Sequence, residues 1–352
     1  MKSKKPTYIT IRDVAKLADT SIATVSYVLN HPAGIRPISD DLRDRVLKAA
    51  DELGYVRSAI ASSLKGSHLG MLATFVPQFT GPVFRIFSSA LSQAAQNSDM
   101  IVTFCSSDDD PVKEKELLTQ LLSQRMDGCI ICPTLKGGVN TEILRKLKIP
   151  YVILARQFSD YTGSYNYVGA DSHQAGYLAA MELIEAGHTK IGFIAPKTVL
   201  GNVGRRLSGF QAAFNEAGIP VPERFIKLLE EGSEEEREAL NQLLYEEQVT
   251  GLVVDYQSIA QVIYKLLAEY QVSIPSDLSL VLLTSPDWAS IVSPSLTTIY
   301  SHESEGGEAA VQILLNQIET QDSSRFQTKI YPCEILRGQS VGAPRKFPLT
   351  KK

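Results

Sequence analysis

Cysteine is scarce in this 352-residue chain: Cys105, Cys129, Cys132 and Cys333 are the four, too few at this size for a disulfide framework. Cys129 and Cys132 form a C-x-x-C, but on the strand expected for "GCIIC" residues three apart point to opposite faces. No second pair completes a metal site, so core cysteines are expected. Histidine is equally sparse, and His31, His68, His173, His188 and His302 have no ligand spacing; neither metal nor other cofactor is expected. No apolar run approaches the roughly 20 residues of a membrane span. The opening "MKSKKPTYIT" has basic residues with no apolar stretch behind them, so the chain is expected in the cytoplasm with no membrane partner. Catalytic constellations are missing too. No glycine loop cradles a phosphate, and in "SHESEGG" the adjacent Ser301 and His302 lack a nucleophile elbow, so that stretch reads as a loop and an enzyme is not expected.

What is present begins with "IRDVAKLADTSIATVSYVLN". Ile11, Val14, Ala15 and Ala18 share one helical face, and Ile22, Val25, Val28 and Leu29 repeat the pattern after a break at Asp19 to Ser21. Thr10 and Ser21 are expected caps, each hydroxyl accepting an orphan amide. Asp19 occupies a corner that needs a left-handed residue. A helical hairpin in a core would fit as well as a helix-turn-helix, and charge separates the two. Residues 1–66 hold eleven Lys and Arg against seven Asp and Glu, a surplus of four, which leaves −8 for the remainder of a chain at −4. A basic head on an acidic body suits a DNA-binding module joined to something that does not touch DNA. A third helix, "SDDLRDRVLKAADELGY", is capped by Ser39 and closes the head's core with Leu42, Val46, Ala49, Ala50 and Leu53. The small-residue linker "VRSAIASSLKGSHLG" is too short for a stable isolated helix and can order on binding.

From Leu69 the texture changes. Strands "LGMLATFV", "MIVTFC", "GCIIC" and "YVILA" alternate with helices, and "TKIGFIA", "FIKLLE", "GLVVD" and "LSLVLL" repeat the pattern with helices at 173–185, 207–217, 235–245 and 259–269. Two similar α/β lobes with a cleft outside their strand ends make a ligand clamp.

Several stretches then carry a resemblance. "TIRDVAKLADTSIATVSYVLN", "VLKAADELGY", "SSDDDPVKEKELLTQLLSQRMDG", "VGADSHQAGYLAAMELIEAGHTKIGFI", "RLSGFQAAFNEAGI", "IPSDLSLVLL" and "SPSLTTIY" follow the order and spacing of LacI/GalR-family transcription regulators, which the chain resembles over nearly its full length. The resemblance implies an all-α helix-turn-helix head (1–57), a hinge (58–67) and a periplasmic-binding-protein-like α/β core (68–352) of two doubly wound parallel-sheet lobes. Lobe one would take about 68–166 and 299–330, and lobe two about 167–298 and 331–342. It also implies a homodimer, with a tetramer left open, whose heads grip a near-palindromic duplex operator while the clamp senses a small metabolite, a sugar or sugar phosphate. A solute-binding protein and a regulator without an effector are the alternatives.

In a helix-turn-helix the exposed start of the second helix enters the major groove, which selects Ile22, Ala23 and Tyr27 as base-facing. Thr10, Ser21, Thr24, Ser26 and Asn30 are expected at phosphates. Tyr27 departs from the family's usual arginine and offers one hydrogen bond in place of a bidentate pair with guanine; packing against the following loop is its alternative. In the linker, Arg57, Ser58, Ala61, Ser62 and Leu64 stand where the family has proline, asparagine, an alanine–arginine pair and a leucine. Ala61 and Leu64 are the implied minor-groove contacts, Leu64 as a wedge.

For the effector, the family match implies Pro82 and Phe84 as a lip and Arg156, Arg206, Tyr256 and Thr284 in the cleft. Ala155, Thr284 and Ser285 stand where aspartates are common, and Tyr256 and Gln257 replace the usual asparagine and aspartate. With acceptors gone and guanidinium groups kept, an anionic ligand is expected over a neutral sugar. Structural ion pairs at the two arginines are the alternative.

Overall fold

The computed structural model describes residues 9–31, 38–56, 70–79, 82–134, 140–157, 165–198, 200–230, 234–322 and 325–351, the side chains of 82 and 83 excepted. The chain divides into two compact units, Met1–Leu69 and Gly70–Lys352.

In the first unit, helices α1 (Ile11–Leu17), α2 (Ile22–Asn30) and α3 (Asp40–Glu52) close on Val14, Ala15, Ala18, Val25, Val28, Val46 and Ala49. The apolar spacing dictates this core. The expected corner is present, with Asp19 at φ 50°, and the Ser21 hydroxyl accepts the Thr24 amide at 3.1 Å. Thr10 opens a capping box with Asp13 at the start of α1. Its amide and its hydroxyl both donate to the Asp13 carboxylate, at 2.8 and 2.7 Å, because an acid in the first turn is the stronger acceptor.

The second unit holds two six-stranded sheets. One is ordered β11-β5-β4-β3-β1-β2, from β1 (Met71–Val76), β2 (Ile101–Ser106), β3 (Gly128–Ile131), β4 (Tyr151–Leu154), β5 (Asn166–Ala170) and β11 (Thr328–Tyr331). The other is ordered β12-β10-β9-β8-β6-β7, from β6 (Ile191–Pro196), β7 (Ile226–Leu229), β8 (Gly251–Val254), β9 (Ser279–Leu282), β10 (Thr297–Tyr300) and β12 (Glu334–Leu336). Strand β12 is antiparallel to β10, and the other described pairings are parallel.

Alternation along each strand feeds two cores per sheet. In the first lobe, Leu72, Ile130 and Val152 pack with Phe87 and Leu91 of α4 (Pro82–Gln96) and Leu314 of α12 (Glu303–Thr320). On the other face Ala73, Phe75, Cys129 and Ile153 pack with α5 (Pro111–Ser123) and α6 (Thr141–Leu147). The second lobe buries Phe193 and Val253 under α7 (Ser172–Glu185) and α8 (Gly201–Glu216). Its opposite face carries Leu252 and Leu280 against α9 (Glu235–Asn241) and α10 (Gln257–Glu269). A short helix, α11, spans Trp288–Ile291. The cysteines are free thiols, and burial pushes Cys132 up to about 12. Among the described residues no helix is long and apolar enough to cross a membrane.

Three details differ from the sequence expectation. The chain changes lobes at residues 171, 301–302 and 332–333 and not at 166, 298 and 330, because the buried run of β5 stays paired to β4 and β11 and β10 stays in the second sheet. "SHESEGG" opens α12 and is not a loop. Its glycines serve packing: a Cβ on Gly307 would stand 2.8 Å from that of Ala90 on α4. Helix α8 begins at Gly201, not Leu207, which puts Arg206 inside the helix.

Helices α7 and α8 touch backbone to backbone. A Cβ on Gly176 would lie 1.8 Å from the Arg206 carbonyl oxygen, and one on Gly209 1.9 Å from that of His173. In urea unfolding, Gly209→Ala should cost about 1–3 kcal/mol, since backbone cannot swing aside. Gly204→Ala, on the same helix with open space around the added methyl, should be neutral or gain roughly 0.5–1 kcal/mol; equal effects would refute the close-approach argument.

Candidate functional site

On the head, α2 presents Ser21, Ile22 and Ala23 openly, Ile22 being 43% exposed, and Thr10 is exposed at the start of α1. Thr24 and Ser26 are half-buried, and Thr24 is tied to Ser21 hydroxyl to hydroxyl at 2.9 Å. The Asn30 amide donates to the Ser26 carbonyl, so this side chain is turned along its own helix. Tyr27 is half-buried, its ring 4.5 Å from that of His31, a placement that favours packing against the segment after α2. Arg57, Ser58, Ala61, Ser62 and Leu64 lie outside the described residues.

The body's cleft is a cavity of about 400 Å³. Five strand ends build it: Pro77 and Gln78 follow β1, Asp109 follows β2, Ala155 and Arg156 follow β4, Tyr256 follows β8 and Thr284 follows β9. Phe84 comes from α4, Asn202 and Arg206 from α8, and Gln257, Ser258 and Gln261 from α10. The carboxyl ends of parallel strands are where α/β folds place ligands. Of the six expected residues, Phe84, Arg156, Arg206, Tyr256 and Thr284 meet here; the side chain of Pro82 lies outside the described ones.

Each arginine has a carboxylate. Arg156, 7% exposed, pairs with Asp109 at 2.7 Å and donates to the Pro133 carbonyl at 3.0 Å. Its guanidinium lies 5.6 Å from the Phe84 ring and 5.4 Å from that of Tyr256, within cation–π range. Arg206 pairs with the fully buried Asp255 at 2.6 Å. Burial opposes the Arg206 charge, but Asp255, by charge and by hydrogen bond, together with Tyr256 outweighs it, so its pKa is raised; burial also raises Tyr256.

The expectation that the two arginines lack nearby acids is therefore wrong, and the alternative of structural ion pairs at both holds. Asp109 lines the cleft with the two arginines, and Asp255 pairs with Arg206 from behind the lining. Both acids were within reach of the sequence: Asp255 ends the buried run "GLVVD", where a charge has no packing role, and Asp109 sits in "SSDDDP" directly after β2.

Among the described residues, Arg206 Nε, Asp255 Oδ2, Gln257 Oε1 and Thr284 Oγ1 are buried without hydrogen-bond partners. Such atoms are costly unless something fills the site. Three residues with positive φ border the same place. Asp109, Ala155 and Tyr256 have φ of 56°, 62° and 65°, a region non-glycine residues seldom occupy outside sites that require it.

Comparison with known proteins converges on one assignment. Residues 10–58 match the family model for bacterial regulatory proteins of the lacI family, and residues 180–341 match a periplasmic binding protein-like domain. The HTH-type transcriptional repressor PurR of Actinobacillus pleuropneumoniae is 30% identical, over 93% of this chain and 97% of that protein. The chain belongs to the LacI family of bacterial regulatory proteins. A ribose operon repressor of Haemophilus influenzae is 28% identical over the same shares of the two chains. A lac repressor dimer bound to operator and anti-inducer shares the fold, with a TM-score of 0.81 at 20% identity over 96% of this chain and all of that one.

Behind this LacI-family cleft stands an acid the sequence reading did not single out. Glu114, in the first turn of α5 and 1% exposed, accepts from Asn140 at 2.6 Å. Burial drives its pKa up to about 7, with Asn140 opposing and Asp109 adding to the rise. The folded chain keeps this proton up to about 7 while the unfolded carboxyl loses it near its ordinary value. The stabilisation is thus complete at low pH and lost as pH rises through that range. Glu114→Gln should gain on the native chain in urea unfolding between about pH 5 and pH 8, by up to about 3 kcal/mol. A difference constant across that range would contradict the assignment.

Proposed function

We propose that this LacI-family chain is a sequence-specific DNA-binding transcription repressor that holds a near-palindromic operator as a homodimer in the cytoplasm. A small, neutral, hydroxyl-rich metabolite in the interlobe cleft switches it. The observation that carries the proposal is the joining, in one chain, of an open helix-turn-helix face to a cavity whose arginines are each paired with a carboxylate and which is bordered by unpartnered polar atoms. Ile22 and Ala23 are the proposed base-facing residues, with Tyr27 beside them. Thr10, Ser21, Thr24, Ser26 and Asn30 are assigned to phosphates, and the hinge residues Ala61 and Leu64 to the minor groove.

The metabolite's class follows from the cleft's chemistry. A hydroxyl both gives and takes hydrogen bonds, which suits Arg206 Nε and Thr284 as donors and Gln257 Oε1 as an acceptor in the cleft lining. The apolar faces of Phe84 and Tyr256 suit the C–H face of a sugar ring. The similarity to a ribose operon repressor supports the same class. A phosphate would meet Asp109 in the lining and two guanidinium groups already paired with carboxylates, so it gains less than an acid-free site would offer.

Selection from a random duplex pool tests the DNA half. A two-fold-related consensus should emerge, with log K falling against log salt at about −0.9 per neutralised phosphate. Tyr27→Arg should change the preferred base at one position per half-site by about 1–3 kcal/mol; an unchanged consensus would leave Tyr27 as a packing residue. Thermal shift tests the effector half, because a ligand of the native state raises the melting temperature by mass action. Neutral sugars should stabilise the chain and Asp255→Asn should abolish the response, whereas stabilisation by sugar phosphates alone would overturn the neutral-ligand assignment.

A further inference from the structure

We propose that the effector site has two compartments, and that the second, a small cavity at the hinge of the clamp, takes a short hydroxyl-bearing arm of the ring held in the cleft. This cavity measures about 70 Å³. It adjoins the cleft at a wall of Ala155, Arg206 and Thr284, which line both. The arm belongs to the neutral, hydroxyl-rich effector proposed above and rests on that reading.

Polar groups around the cavity call for an occupant. Arg206 Nε, Thr284 Oγ1 and His302 Nε2 are buried and make no hydrogen bond; the last stands 3.3 Å from Glu334 Oε1 but forms none with it. They come from α8, the end of β9 and the start of α12, so three separate elements turn an unmatched polar atom toward one region. A buried polar atom is costly when left unpaired. Arg206 is already paired with Asp255, and burial disfavours a charge on Glu303, which also lines the cavity. An ion therefore gains little, whereas a hydroxyl can accept from Arg206 and exchange hydrogen bonds with Thr284.

Size sets the length of the arm. A water molecule's share of liquid volume is about 30 Å³, so the cavity takes roughly two or three non-hydrogen atoms. A hydroxymethyl group fits and a second sugar ring does not. The rings of Phe87 and Tyr331 offer its carbon an apolar wall. Gly306 keeps the space open: a Cβ there would stand 3.2 Å from Phe87 Cε1 and take up room beside that ring.

Location gives the arm its consequence. The chain crosses between lobes at 171, 301–302 and 332–333, and Ser172, Ser301, His302 and Tyr331, on or beside all three crossings, border the cavity. The crossings are laced together: the Asp171 amide donates to the Tyr331 carbonyl at 2.8 Å, and Cys333 Sγ to the Asp171 carbonyl at 3.4 Å. A group packed among them fits one hinge angle better than another. A ligand that fills both compartments thus differs in affinity for the two lobe arrangements, which is what shifts their balance.

Calorimetric titration of the full-length chain with pairs of neutral sugars that differ by one exocyclic hydroxymethyl group tests the arm. The pairs are D-xylose with D-glucose, L-arabinose with D-galactose, D-lyxose with D-mannose and D-ribose with D-allose. In a pair that binds, the hexose should bind about 10-fold or more tightly, the order of discrimination a closed pocket achieves for a group of that size. Gly306→Ala, which takes up part of the cavity, should bring the ratio of the two affinities close to one. Should Gly306→Ala fail to fold, Ser301→Val supplies the same reading. Equal affinities within every pair that binds, or a ratio that survives the filling variant, would overturn the arm and leave the cleft as proposed. Binding by no sugar of either length would overturn the neutral effector itself, and the arm with it.

Discussion

Two buried guanidinium groups govern this cleft, because neither can stay in a low-dielectric site without a counter-charge. The fold supplies one carboxylate to each, and each comes from the same lobe as its arginine. Asp109 and Arg156 follow β2 and β4 of the first sheet, while Arg206 and Asp255 belong to α8 and β8 of the second. Among the described residues, opening the clamp therefore breaks no buried ion pair. What crosses the cleft is weaker: the Arg156 contact with the Tyr256 ring, a hydrogen bond from the Gly201 amide to the Gln157 carbonyl, and the exposed Arg85–Asp287 pair. Exposed pairs of that kind contribute about 0–1 kcal/mol. With strong interactions kept inside lobes and weak ones between them, a ligand touching both lobes can decide their arrangement.

The same division explains how the arginine of the second lobe is held. Helix α8 cannot slide on α7 because Gly176 and Gly209 let the two backbones meet, and that contact fixes the height of Arg206 over Asp255. The small residues are thus part of the ligand site although neither lines it.

Much of this was legible in the sequence. The head could be read because its signals are local: caps at Thr10 and Ser21, a left-handed Asp19, and apolar spacing along each helix. The core strands could be read because parallel strands buried on both faces are continuous apolar runs. The lobe crossings could not be placed from pattern alone, since β5 and β10 look like any other buried strand and sheet membership is a pairing property. "SHESEGG" misled because glycine reads locally as loop, whereas Gly306 and Gly307 serve a distant helix. Asp109 and Asp255 were missed for a related reason. Family positions for acids were occupied by Ala155, Thr284 and Ser285, and the compensating carboxylates come from other strand ends that only the folded chain brings beside the arginines.

In the proposed function, occupancy of the cleft and grip on DNA are two readings of one equilibrium. The most direct measurement is the affinity of the full-length chain for its selected duplex, taken across a concentration series of a ligand independently shown to fill the cleft. Linkage requires a saturating change of about 5- to 150-fold, with the duplex shifting the ligand's own affinity by the same factor. A duplex affinity unmoved by a ligand that occupies the cleft would contradict the account.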